Sequence, residues 1–90
     1  MTYRIEIERR PRQALGCLPK GGRIRVMSAI DALAEDPRPA GCVPVRAAPQ
    51  GTCRIREGDY RVICLILDGE QIVAVAMVAT RSATTYRKPG

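Results

Sequence analysis

Tyr3, Ile5 and Ile7 alternate with Arg4, Glu6 and Glu8, and a period of two is the mark of a strand with one buried face. The pattern stops at Arg10-Pro11. Proline suits a first helical turn, so a short helix is predicted over 11–18, weakened by Gly16 and ended by Pro19. After Gly21-Gly22 the apolar positions Ile24, Met27, Ile30, Leu33 and Ala34 recur every three or four residues, which predicts a second helix closing before Asp36-Pro37. Pro37, Pro39, Pro44 and Pro49, with Gly41, make 36–50 a connector without an element of its own.

Three further strands are predicted over 52–57, 60–67 and 70–79, joined by turn signals at Gly58-Asp59 and Asp68-Gly69. The run Val62-Ile63-Cys64-Leu65-Ile66-Leu67 is apolar at every position, as in a central strand covered on both faces. The order is therefore β-α-α-β-β-β. It implies an α+β fold in which two N-terminal helices pack on an antiparallel four-stranded sheet, one domain over 1–90.

At 90 residues the chain hides only about 60 to 65% of its unfolded surface, so its core is thin. With no Phe and no Trp, Val, Ile, Leu, Ala and Met must fill that core. The four cysteines, Cys17, Cys42, Cys53 and Cys64, contain no Cys-x-x-Cys, and the chain has no histidine to complete a mixed zinc site. No metal or cofactor is expected. No stretch reaches the roughly 20 apolar residues of a membrane span and none resembles a signal peptide, so a cytoplasmic protein with reduced thiols is expected.

Fifteen Lys and Arg against nine Asp and Glu leave a net charge of +6, which favours a polyanionic partner. The charge is concentrated in Arg54-Ile55-Arg56-Glu57-Gly58-Asp59-Tyr60-Arg61. Arg54 and Arg56, two apart on a strand, share a face at about 6.5 to 7 Å, close to the spacing of successive phosphates. A two-residue turn at Gly58-Asp59 sets Arg56 opposite Arg61 and all three guanidiniums on one side, whereas a three-residue turn reverses Arg61. Like charges so close cost stability unless an anion joins them, the alternative being a solvated basic strand. A second polar group, Arg81-Ser82-Ala83-Thr84-Thr85-Tyr86-Arg87-Lys88, ends the chain; alone it is also the composition of a frayed terminus.

Arg-Ile-Arg-Glu-Gly-Asp-Tyr-Arg-Val-Ile, followed by an Asp-Gly turn, an apolar strand and Thr-Arg-Ser-Ala-Thr-Thr-Tyr-Arg, resembles the RelE/ParE family of toxin–antitoxin toxins, and its RelE branch in particular. The resemblance runs from about Tyr3 to Lys88, the N-terminal half matching only in element order. It implies a RelE-like fold and an endoribonuclease that cuts messenger RNA in the ribosomal A site without metal. It also implies a cognate acidic antitoxin. By position it assigns a basic pair to Arg54 and Arg56, a central-strand arginine to Arg61, a post-strand arginine to Arg81 and a terminal tyrosine to Tyr86, with Arg87 and Lys88 as further RNA contacts. Cys53 and Cys64 replace frequent aromatics, Ala79-Thr80 replaces a frequent Gly-His, and the basic pair is Lys in some members.

The implied reaction is attack of a ribose 2′-hydroxyl on the adjacent phosphate, giving a 2′,3′-cyclic phosphate and a free 5′-hydroxyl. Arg61 and Arg81 are suited to the charge on the phosphorane. Arginine stays protonated, so Arg54 and Arg56 would grip or orient the backbone, and Tyr86 is the candidate base. A two-residue Asp68-Gly69 turn with a straight last strand would put Arg81 on the face away from Arg61. A three-residue loop or a bend after Ala79 would bring it back. Two other readings are a ParE-like inhibitor of DNA gyrase and a basic module that binds RNA or antitoxin without cutting.

Overall fold

The computed structural model describes residues 2–80. The alternation at the N-terminus becomes strand β1 (Arg4–Ile7), with Ile5 and Ile7 turned towards the core and Arg4 and Glu6 away from it. Helix α1 (Arg9–Gly16) starts two residues before Pro11, whose missing N–H falls where a first helical turn has no partner to offer. Helix α2 (Lys20–Ala32) takes Gly21 and Gly22 into its first turn. Its buried face is Val26 and Ile30, with Leu33 at its end and Met27 at the margin. Ile24, expected on that stripe, is 57% exposed. At 100° per residue Ile24 and Val26 lie on nearly opposite sides of a helix, and Val26 took the core.

The sheet departs from the expected four antiparallel strands in two ways. It has five, in the order β1-β5-β4-β3-β2, because Val43–Pro44 in the proline-rich connector forms β2 and pairs antiparallel with β3 (Thr52–Glu57). It is also mixed: β1 runs parallel to β5 (Ile72–Thr80), while β3, β4 (Tyr60–Leu67) and β5 form the expected meander. β1 and β5 are the first and last strands of the chain, so no hairpin joins them, and the two helices and three strands between them leave their directions the same.

Val62, Cys64, Val73, Val75 and Val78 from the sheet meet Leu15, Val26, Ile30 and Leu33 from the helices in one core. Both helices lie on that face. Ile63, Leu65 and Leu67, expected to be covered as fully as their neighbours, are half-buried on the open face, since both helices among the described residues lie on the other face. Cys64 is a core residue, and burial pushes its thiol up to about 12. Burial raises Cys53 in the same way, so neither thiol is poised to react.

Two irregularities set the register of the last strand. The turn after β4 spans four residues, Asp68 to Gln71, with the left-handed conformation at Gln71 (φ 55°) rather than at Gly69. With that loop alone, Arg61 would face Val78. A bulge opposite Ile63/Cys64 adds one residue to β5, so that Val62 pairs with Val78 and Arg61 with Ala79. The extra residue places Val78 in the core and leaves Met77 on the open face, 50% exposed.

Candidate functional site: an arginine cluster on the open face

The β3–β4 connection has the two-residue form on which the arginine arrangement depends. Gly58 has φ 61°, the left-handed geometry required at the first position of a type II′ hairpin, and Glu57 pairs with Tyr60 across it. From that closing, hydrogen-bonded pair the ladder alternates, so Arg56 and Arg61 form a non-hydrogen-bonded pair, the kind in which opposing side chains come closest. Arg54, two residues back, faces Ile63 and projects to the same side. The structure thus gathers Arg54, Arg56 and Arg61 on the open face. Arg81, Tyr86, Arg87 and Lys88 lie outside the described residues; Ala79, two residues before Arg81, stands opposite Arg61 on that face.

None of the three arginines has an ion pair or side-chain hydrogen bond among the described residues. Arg61 carries the clearest deficit: its Nε is buried and has no hydrogen-bond partner among the described residues. A buried donor without an acceptor costs free energy comparable to a lost hydrogen bond, while the Arg61 side chain as a whole is only half-buried. Arg54 and Arg56 also line a cleft of about 250 Å³ whose other wall is Gly41 and Val43. The connector was not expected to contribute to the site. The pairing of Val43 with Arg54 brings it there, and Gly41, at φ 93°, makes the bend that precedes it.

The opposite face of the hairpin is held from behind. Tyr60 packs its ring on Gly22, where any Cβ would collide with the phenol. Arg25 lies over Gly58 and pairs with Glu57 at 3.5 Å. Neither Gly22 nor Arg25 was singled out from the sequence, although the Gly-Gly at a helix start is the signal that marks a close approach. These contacts fix the hairpin end to α2 and hence the relative placement of Arg56 and Arg61.

No family model and no curated protein matches the chain by sequence. Solved structures do match. A chain of the archaeal RelE–RelB complex from Pyrococcus horikoshii superposes with a TM-score of 0.80 at 28% identity, over 90% of this chain and 97% of that one. A chain of the toxin–antitoxin complex RelBE2 from Mycobacterium tuberculosis gives 0.80 at 25% identity, over 91% and 94%. The isolated RelE toxin of Escherichia coli shares the fold at 18% identity, with a TM-score of 0.74 over 97% of both chains. Over nearly its whole length, then, this chain is similar in fold to the RelE toxins.

Proposed function

We propose that this chain is the toxin of a type II toxin–antitoxin system, that it cuts messenger RNA in the ribosomal A site, and that a cognate acidic antitoxin neutralises it. The observation that carries this reading is the close Arg56–Arg61 pair, unpartnered on an open face and with the Arg61 Nε buried. Two forked cations held side by side match the oxygens of a phosphodiester, and their mutual repulsion is relieved when one binds.

In the proposed reaction the ribose 2′-oxygen attacks the adjacent phosphorus and the bond from phosphorus to the 5′-oxygen breaks. The products are a 2′,3′-cyclic phosphate and a 5′-hydroxyl. Arg61, with Arg81 as its proposed partner from the end of β5, neutralises the charge that accumulates on the phosphorane oxygens. Arg54 and Arg56 hold the flanking backbone along the cleft that Val43 walls, and Arg87 and Lys88 add contacts beyond it. The 2′-hydroxyl proton passes to the ionised Tyr86 phenolate, the only group proposed as base, because a guanidinium cannot accept it, and the leaving 5′-oxygen takes its proton from water. A slow intrinsic reaction follows, because little of a tyrosine phenol is ionised near neutral pH. The ribosome compensates by holding the message with hydroxyl and leaving oxygen in line.

Primer extension on messenger RNA in a translating extract tests this. Cuts that require ribosomes and disappear with Arg61→Ala support it. Cuts unchanged by that substitution, or DNA gyrase cleavage complexes in place of RNA cuts, overturn it.

A further inference from the structure

β2 is only two residues long and lies at the edge of the sheet, where its register sets Val43 opposite Arg54 and Pro44 opposite Cys53. Cys42 comes two residues before Pro44, so it returns to the Cys53 side of the sheet, one diagonal step away. The two thiols interact: burial, and after it Cys42, both by its charge and as a hydrogen-bond partner, raise the Cys53 thiol. Cys64 stands directly opposite Cys53 on β4 but is less suited to join it. Counted from the bonded Glu57–Tyr60 closing pair, Cys53 and Cys64 form a hydrogen-bonded pair, the kind whose side chains stand farther apart. Cys64 is also 1% exposed, within the core.

Cys42 is half-buried, and Cys53, although buried, lines a cleft of about 450 Å³ with Arg38, Pro44, Ile66 and Asp68, which admits a small reagent to that side of the sheet. Cys42 N–H donates to the Pro39 carbonyl at 3.0 Å and Gly41 before it takes φ 93°, so Cys42 ends a turn rather than belonging to the ladder. Diagonal neighbours stand about 7 to 8 Å apart, and a disulfide needs Cα atoms within about 7 Å. Closure therefore asks for a shift of about 1 Å, which a turn residue outside the ladder can make.

We infer that Cys42 and Cys53 close into a reversible disulfide when the chain meets a low-molecular-weight disulfide, clasping the end of the connector to β3. The Cys42 thiolate attacks one sulfur of the reagent, whose S–S bond breaks and whose other half leaves as a thiolate. Cys53 then loses its proton and attacks the Cys42 sulfur, expelling the second half. Two protein thiols are oxidised, one small disulfide is reduced to two thiols, and the two protons pass to these through solvent. Cys42 goes first because it is the more exposed; Cys53, whose thiol burial holds up, attacks slowly and relies on proximity. The bridge closes a loop over 42–53 whose ends the fold already holds together, so it stabilises the chain. Val43 and Arg54 lie between the two cysteines on the opposite face, and the clasp therefore fixes the Gly41–Val43 wall of the arginine cleft against β3. None of this depends on RNA cleavage or on an antitoxin.

The full chain carrying Cys17→Ser, which takes the exposed thiol out of competition, is equilibrated with glutathione disulfide and digested with trypsin without reduction. Trypsin separates the remaining cysteines into segments 26–46, 47–54 and 62–81. Segment 26–46 linked to 47–54, and a thermal midpoint raised by about 5 °C or more, are the expected results, both reversed by excess reduced glutathione. Cys42→Ser, at a half-buried turn position, should keep the midpoint of the reduced chain and abolish both the link and the rise. Thiols that stay free, a link from 47–54 to 62–81, or Cys42 held as a mixed disulfide with glutathione overturns the inference. So does a midpoint unchanged or lowered by oxidation, or a rise that survives in Cys42→Ser.

Discussion

The two ends of β4 treat arginine in opposite ways. At the far end, just past Leu67, Arg38 grips Asp68 with both arms of its guanidinium, at 3.1 and 2.9 Å, and the Tyr3 hydroxyl donates to the same carboxylate at 2.6 Å. That network ties together β1, the connector and the β4–β5 turn. At the near end, about 23 Å away along the strand, Arg56 and Arg61 face each other with no carboxylate between them. Arg38 is paired within the chain, whereas Arg56 and Arg61 are, under the proposed function, left for a ligand. What supports Arg56 and Arg61 is not a counter-charge but the packing of Tyr60 on Gly22 and the Arg25–Glu57 pair on the other face.

The contrast is broken most severely by removing the unpaired end. Arg61→Ala is expected to lower ribosome-dependent cleavage by about 10²- to 10³-fold, the usual loss for one transition-state charge donor, and to leave the thermal midpoint equal to or above that of the parent. A large drop in midpoint would show that Arg61 serves the fold instead. Next comes a change that makes the near end resemble the far one. Ala79→Glu sets a carboxylate opposite Arg61, with an expected gain of about 0.2 to 1 kcal/mol in urea unfolding. Cleavage should fall roughly tenfold or more, because the phosphate must then displace a charge-assisted bond.

Support from behind is tested by Gly22→Val, which drives a side chain into the Tyr60 ring. The expected cost is about 1 to 3 kcal/mol, read from the urea midpoint. If the midpoint is unchanged, the hairpin is not held by α2. The smallest effect belongs to the paired end. Arg38, and after it Tyr3, hold the Asp68 carboxyl at about 2 against an ordinary 3.8. A carboxyl lowered by folding contributes stability that is present above its ordinary value and is lost as pH falls from 3.8 towards about 2. Arg38→Ala should return the Asp68 titration, followed by NMR, most of the way to 3.8 and flatten that part of the acid unfolding profile. The Tyr3 hydroxyl, raised by the same hydrogen bond, should titrate earlier in Asp68→Asn.

Much of the site could be read without coordinates because its main constraint is local. Gly58-Asp59 closes a turn within four residues, and once two residues are assigned to the loop, the facing of Arg56 and Arg61 follows from the pleat. Expectations failed wherever a choice depended on distant partners. Ile24 fits a helical stripe as well as Val26 does, and only the position of β4 beneath α2 decided between them. The Asp68-Gly69 signal promised a two-residue turn, but the loop extends to Gln71, where a non-glycine residue takes the left-handed conformation.

By itself the sequence determined the alternation that makes the strands, the two helical segments, the tight arginine hairpin and a strong positive charge, all of which depend on backbone preferences and turn chemistry over a few residues. The tertiary structure decided that β1 lies parallel to β5, that Val43–Pro44 becomes a fifth strand walling the arginine cleft, and that a bulge turns Ala79 rather than Val78 towards Arg61. Each of these is a contest between segments far apart in the chain. It is settled by which register buries the most apolar surface, a quantity that no short stretch of residues contains.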